Sequence, residues 1–344
     1  MKANERSQIT YGYRKRKHRY RLTILVLFLT AFSLAALMMI YGNTIYSPGV
    51  IFRVLLGEQI KGATFTIYTL RLPRMLSAVL CGFAFGLAGN TFQMLLKNPL
   101  ASPDIIGVTS GASAAAVLGI LFLGLNQNEV SLLAVASGIL ISCLIYFLSG
   151  GDGFNGKLIL TGIGIQAFLN AVISWMLLKA SEYDVSSALR WLNGSLNAVN
   201  LEQIKGLFVA VFFSGGIILY LSRHLMVLQL GEAYAIPLGM NVRLIRLMLI
   251  VCSIVLIAFS ASVTGPIASI AFLSGPIAQR LSGGGRSNLI PSALTGAILV
   301  LAGDLIGQFA LPARYPAGVI TGILGAPYLL FLLYRTNQKG DSIS

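Results

Sequence analysis

The sequence predicts an all-α fold, a polytopic integral membrane protein with about ten transmembrane helices. Of its 344 residues, 56% are hydrophobic and only 10% are charged, whereas a soluble domain carries about 25% charged residues. Apolar runs that can each cross a bilayer, which takes about 20 residues, recur from residue 22 to residue 334. Too few charged side chains remain to cover a water-soluble surface. We therefore predict one transmembrane domain over residues 22–334.

A basic segment, residues 1–21, precedes the first apolar run. The chain has a net charge of +14. Much of the excess lies in this segment, at Lys2, Arg6, Arg14, Lys15, Arg16, Lys17, Arg19 and Arg21. Basic residues beside a span mark its cytoplasmic side and attract anionic lipid headgroups. The placement favours a cytoplasmic tail that sets topology in the lipid bilayer, followed by an uncleaved first span, and argues against a nucleic-acid partner.

The spans follow in order along the chain. Eight runs each predict one crossing: residues 22–41, 75–96, 105–125, 130–149, 158–178, 204–222, 291–309 and 317–334. The stretch 246–281 is too long for one crossing and tight for two. Its Gly265-Pro266 and Gly275-Pro276 pairs favour breaks or kinks. We therefore predict a short or broken pair of helices there.

Charge placement supports ten crossings. With the N-terminus in the cytoplasm, an even number of spans returns residues 335–344 to the cytoplasm as a second tail. Arg280 and Arg286 then also lie inside, as the positive-inside rule requires. A single crossing within 246–281 would leave these residues outside.

The same topology places several basic residues on the outer face, among them Arg71, Arg74 and Arg314. They are exceptions to the positive-inside trend. One interpretation is ordinary solvation of loop charges. The other is an acidic partner or an anionic substrate on that face.

Asp304 is the one acidic residue deep in an apolar run. A charge in the membrane is costly and is usually paired or functional. It could relay protons or cations in a secondary carrier, or it could anchor helices or a partner subunit. A lone acidic group favours the anchor. We group Gln93, Asn98 and Pro99 with it as intramembrane polar or structural positions.

Motifs for chemistry are missing from the sequence. The segment Gly57–Thr64 has Walker-like glycine spacing, but Ala63 stands where the phosphate-binding lysine is needed. Cys81, Cys143 and Cys252 lie inside apolar runs, and there are only two histidines. We expect no catalytic residue, no resident metal and no cofactor in this chain.

The loop 223–245 is the most distinctive cytoplasmic feature of the predicted topology. It combines a helix-like segment with a Pro/Gly stop before the next span. Its pattern contains Gly231, Glu232, Ala233, Leu238 and Gly239. On pattern alone it reads as a connector, although such a segment could also dock on a soluble partner.

Several motifs in a fixed order carry a family resemblance across residues 22–334. They are Arg71-Leu72-Pro73-Arg74, Gly89-Asn90-Thr91-Phe92-Gln93, Lys97-Asn98-Pro99-Leu100-Ala101-Ser102-Pro103-Asp104, the 231–239 pattern, Gly265-Pro266-Ile267, Gly303-Asp304, Pro316-Ala317-Gly318 and Gly325-Ala326-Pro327. The chain resembles the FecCD family, the permease subunits of binding-protein-dependent ABC importers for iron–siderophores, haem and vitamin B12.

The resemblance implies ten transmembrane helices and a pathway formed with a second permease subunit, either a paralogue or a second copy. It implies two cytoplasmic ATPase subunits that use ATP and dock on residues 223–245. It also implies an extracytoplasmic siderophore-binding protein whose acidic residues meet Arg71 and Arg74, and more weakly Arg314. These expectations place the chain in the cytoplasmic membrane of a bacterium.

One position departs from the family pattern. Many members carry a histidine where this chain has Gln279. Glutamine can hydrogen-bond but cannot titrate near neutral pH. The variation resembles the catecholate-type siderophore branch.

The resulting hypothesis is a conduit for a ferric siderophore, driven by a separate ATPase and without an enzymatic role of its own. The same fold importing haem or cobalamin is the nearest alternative, because the cargo is selected by another chain. A proton-coupled carrier that uses Asp304 is the alternative from a different class.

Overall fold

The computed structural model describes residues 3–150, 156–197, 199–283 and 287–340. The regular secondary structure in these ranges is helical, with no strand. The helices are α1 (Ala3–Ile40), α2 (Pro48–Leu55), α3 (Leu72–Leu96), α4 (Val108–Leu121), α5 (Gln127–Leu148), α6 (Gly156–Lys179), α7 (Glu182–Leu192), α8 (Leu201–Ala210), α9 (Gly216–Tyr220), α10 (Ser222–Leu230), α11 (Glu232–Ala235), α12 (Val242–Thr264), α13 (Ala268–Ser282), α14 (Leu289–Phe309) and α15 (Ala317–Gly340). A π-helical segment, Phe65–Arg71, leads into α3, and another, Val211–Gly215, joins α8 to α9.

Ten helical segments are candidates for membrane crossings. Within the described residues, seven helical segments are long and apolar enough to cross a membrane, and two shorter apolar ones, Val108–Leu121 and Ala317–Phe331, accompany them. The tenth is α13, whose 15 residues cover only about 23 Å at 1.5 Å per residue. The predicted all-α membrane architecture is confirmed.

The two helices observed around residues 246–281 differ in one respect from the short or broken pair that the sequence predicts. Helix α12 is unbroken and has 23 residues, because it begins at Val242 inside the segment predicted to be a loop. Only α13 is short, and it carries Pro276 in its interior. Arg286 and the last four residues of the predicted tail, 341–344, lie outside the described residues.

The basic segment is helical from Ala3 onward, since α1 runs without a break from Ala3 into the first span. Its Arg19 guanidinium donates to the carbonyls of Arg280 and Leu281 at 2.8 and 3.1 Å. A cation at this place satisfies carbonyls that the last turn of α13 leaves without intrahelical donors. The start of α1 and the end of α13 therefore lie at the same end of the bundle.

Helix α3 is the centre of the bundle and packs against α12, α13 and α14. Gly82 and Gly86 make the closest approach, because a Cβ at Gly82 would collide with the backbone of Ala297 and one at Gly86 with that of Ser292. Small residues four apart let helix backbones approach closely in a membrane. This contact brings the beginning of α3 beside the end of α14, where the polar site described next is formed.

Candidate functional site

A polar cavity of about 290 Å³ lies at the end of the bundle where α3 begins and α14 ends. Its charged lining residues are Arg71, Arg74, Asp304 and Arg314. Three guanidinium groups and one carboxylate give the cavity a formal charge of +2. The three arginines predicted to face a partner are thus brought together, and Asp304 lies among them.

Arg74 and Asp304 form a bidentate ion pair that links α3 to α14. The Nε and Nη2 atoms of Arg74 donate to Oδ2 and Oδ1 of Asp304, both at 2.7 Å. The Asp304 side chain is 2% exposed and that of Arg74 is 21% exposed. Bidentate arginine–carboxylate pairs are among the strongest hydrogen-bonded contacts in proteins. This geometry is that of a structural anchor between two helices.

Arg71 is 8% exposed and is directed at the end of α1 instead of the surface. Its Nη1 donates to the carbonyls of Met39 and Ile40 at 2.7 and 2.9 Å, and its Nη2 donates to the Thr44 carbonyl. The guanidinium also lies 5.0 Å from the ring centre of Tyr46. Arg71 therefore acts as a C-terminal cap of the first helix. In this conformation it offers no exposed guanidinium to a docking protein, contrary to its predicted role.

Arg314 is the exposed arginine of the cavity. Its Nη2 donates to Oδ1 of Asn43 at 2.8 Å, so its charge has a neutral partner. Nearby on the same face, Arg53 is paired with Glu58, and the hydrogen bond from Arg53 lowers the pKa of that carboxyl. Of these two exposed arginines, Arg314 is therefore the one whose charge no carboxylate neutralises.

Gln93 satisfies a carbonyl that a proline leaves unpaired. Pro276 has no N–H to donate to the carbonyl of Phe272, four residues earlier in α13. The Nε2 of Gln93 in α3 donates to that carbonyl at 2.9 Å, and its side chain lies against Gly275. In a membrane interior, where water does not reach, such a substitute donor is needed. The predicted intramembrane role of Gln93 thus takes a specific form.

Asn98 and Pro99 lie in an exposed turn just after the span that ends at Leu96. The sequence predicts an intramembrane position for them, whereas the structure places them beyond the end of the helix. The helix ends at Leu96 because Lys97 adopts a left-handed conformation with φ 51° and Pro99 cannot continue a helix. The Asn98 side chain accepts from the backbone N–H of Leu100 at 2.9 Å. Their role is to terminate α3.

The segment predicted to couple to a soluble partner folds as α10, α11 and a following turn, at the same end as the start of α1. Gly231 and Gly239 both have positive φ, 123° and 76°, which glycine adopts at little cost. Glu232 pairs with Arg246 of α12 at 2.6 Å. The backbone of this segment is therefore defined by two glycine turns and one ion pair to the bundle.

The outer surface of this segment is apolar. Leu230, Tyr234, Ile236 and Leu238 are 68%, 65%, 61% and 69% exposed, and Ala233 is exposed beside them. We call these five residues the coupling surface. The sequence pattern identified Ala233 and Leu238 as coupling residues but missed Leu230, Tyr234 and Ile236. The signal for these three is the series of apolar side chains in a segment outside any predicted span.

In the part of the chain that the structure describes, no three His, Cys, Asp or Glu side chains lie close enough together to hold a metal ion.

Comparison with known proteins identifies the family of this chain. The FecCD transport family matches residues 22–335. The chain is 35% identical to the ferric enterobactin transport system permease protein FepG of Escherichia coli (strain K12), over 84% of this chain and 88% of that protein. It is also 35% identical to the Fe(3+)-citrate import system permease protein YfmE of Bacillus subtilis (strain 168), over 94% of this chain and 98% of that protein.

A solved structure agrees with this sequence match. An inward-facing metal-chelate type ABC transporter superimposes with a TM-score of 0.81 at 27% identity, and the match covers 92% of this chain and 100% of that chain. The family match and the shared bundle confirm the resemblance drawn from the motifs. The chain belongs to the FecCD transport family.

Proposed function

We propose that this chain is the permease subunit of an ATP-driven importer that carries a ferric siderophore across the bacterial cytoplasmic membrane. The names of its relatives support an iron chelate as cargo, since they include permeases for ferric enterobactin and for Fe(3+)-citrate. The chain itself provides a helical conduit, and iron arrives already chelated. In this proposal both termini and the coupling surface face the cytoplasm, as the positive-inside rule favours.

The coupling surface is the observation that carries the ATP-driven mechanism. Four large apolar side chains that are more than 60% exposed lie outside the membrane-spanning segments, where water would surround them. Contiguous apolar surface of this kind marks a protein interface. We propose that one cytoplasmic ATPase subunit covers it in each permease, so that the assembled importer has two.

A second permease subunit is supported by the exposed face of α6. Only 17% of its most apolar stretch is buried, and Gly164, Asn170 and Ser174 are exposed within the span. A polar amide that faces lipid is costly, whereas small residues favour close helix contact. We propose that this face meets a partner permease, either a paralogue or a second copy, or the aqueous pathway between the two.

Transport by the complete complex tests the proposal. In proteoliposomes that contain the permease pair, the ATPase and the binding protein, we expect ferric siderophore uptake to require ATP and to stop with vanadate. A protonophore should leave the rate unchanged, because Arg74 holds the Asp304 carboxylate in a bidentate ion pair. Uptake that persists without the ATPase but collapses with the protonophore would favour the secondary carrier. Haem and cobalamin, offered with the same binding protein, serve as alternative cargoes.

On the outer face we propose that Arg314 contacts an acidic side chain of the binding protein. Arg74 does not take part in this contact, because it is paired with Asp304. We expect Arg314→Glu to weaken association of the binding protein about tenfold at low salt, because a charge-complementary contact becomes repulsive. The difference should shrink as salt screens the charges. Surface plasmon resonance against the complex in nanodiscs measures it, and Arg314→Gln should fall between the two. Equal affinities for all three forms would remove Arg314 from the interface.

A further inference from the structure

A second cavity lies at the same end of the bundle, beside the short helix α7. It has a volume of about 340 Å³ and is lined by the neighbouring ends of α4, α5 and α12 together with α7 and the segment after it. Its polar lining includes Gln127, Ser187, Arg190, Asn197 and Thr264, and Trp191 forms part of the wall. Pockets of this size hold small ligands or one arm of a larger one.

Arg190 gives this cavity an unneutralised positive charge. Its Nε and Nη2 atoms make only long contacts, to the Ser186 carbonyl at 3.3 Å and to Ser187 Oγ at 3.4 Å. In the described ranges, Arg53, Arg74 and Arg246 each pair with a carboxylate, and Arg190 does not. Among the side chains that the structure describes, no acidic one lines the cavity. The site is therefore suited to an anion.

Trp191 adds an aromatic surface next to that charge. Its side chain packs against the buried cluster of Ala112, Ala116, Val130 and Ala134, so the indole is supported on one side. The Trp191 backbone is fixed as well, because its carbonyl lies so close to Gly265 that a Cβ there would collide with it. A rigid indole beside a guanidinium favours a ligand that is both aromatic and negatively charged.

We propose that this cavity is a subsite for an aromatic oxyanion arm of the transported chelate, of the catecholate class. Arg190 binds the oxygen atoms and Trp191 stacks against the ring, while Asn197 and Gln127 supply neutral donors at the rim. A chelate without a ring, such as ferric citrate, engages only Arg190 and binds more weakly. This inference rests on the proposed function, since it assigns a ligand class to a permease of ferric chelates.

Intrinsic fluorescence of the assembled complex tests the subsite directly. The chain has two tryptophans, so Trp175→Phe leaves Trp191 as its only one, and subtracting the signal of the Trp175→Phe/Trp191→Phe variant isolates the Trp191 emission. In nanodiscs without the binding protein, we expect a ferric catecholate to quench that emission saturably. Adding Arg190→Gln should raise the apparent Kd about tenfold, the effect of losing one charge-assisted hydrogen bond at a partly exposed site.

Two controls decide the outcome. Lys179→Gln removes a neighbouring exposed charge that does not line the cavity, and it should leave the Kd unchanged. Ferric citrate should quench at least tenfold more weakly than the catecholate. Quenching that does not saturate, or that is equal in Arg190→Gln or equal for both chelates, overturns the subsite. If that occurs while ATP-driven uptake persists, only the subsite fails; if uptake is absent while quenching saturates, the proposed function fails instead.

Discussion

Replacing Asp304 with alanine should destabilise the protein by about 3–5 kcal/mol, the cost of removing one partner of a buried ion pair. The substitution leaves Arg74 with two donors directed at an empty position in the contact between α3 and α14. Because the Arg74 side chain is 21% exposed, it can turn partly toward the cavity, and we expect the lower end of this range. Unfolding in mixed micelles, titrated with a denaturing detergent, measures the change.

Two further variants separate the buried pair from a general effect of charge. Removing both partners together, with Arg74→Met and Asp304→Leu, should restore much of the lost stability, since no uncompensated charge remains. Glu58→Ala removes the carboxylate of the exposed pair with Arg53 and should change stability little, because exposed pairs contribute little. A stability of Asp304→Ala equal to that of the wild type would show that the pair does not hold α3 to α14.

The helical architecture was predictable because the length of each apolar run and the charges beside it are visible in a short stretch of sequence. Each crossing is indicated by its own residues. The positive-inside rule favours an even number of crossings, and the seven long apolar helices, the two shorter ones and α13 are consistent with ten. The start of α12 at Val242 was missed since Arg243 and Arg246 make its first turns look like a loop. The pairing of Glu232 with Arg246 neutralises one of those charges near the beginning of α12.

The partners of the charged residues were not predictable from one sequence. Arg74 and Asp304 are 230 positions apart, and no spacing rule connects residues on helices that meet only in the folded bundle. Arg71 and Arg74 share one motif and lie three residues apart, where side chains are neighbours on a helix surface, yet Arg71 caps α1 and Arg74 binds Asp304 of α14. Motif position therefore identified the cavity but could not assign the separate roles of its arginines.

The second large effect concerns the coupling surface. We expect Leu238→Glu to weaken association of the ATPase on the order of a hundredfold or more, and to reduce uptake to background. A buried leucine contributes about 1.5–3 kcal/mol, and a carboxylate in its place would be desolvated without a partner, which costs more. Co-purification of the ATPase with the permease and ATP-driven uptake in proteoliposomes measure the two consequences.

The exposure of Leu238 makes this variant informative about the interface and not about folding. At 69% exposure the side chain makes few contacts within the bundle, so we expect the variant and the wild type to insert equally well and to give the same size-exclusion profile. Leu238→Met conserves volume and apolarity and should retain both association and uptake. If Leu238→Glu keeps its ATPase, the coupling surface is not the interface, and the turn between Gly231 and Gly239 is only a connector. If ATPase binding is lost while the isolated permease stays folded, the coupling surface is the interface through which the ATPase acts on the permease.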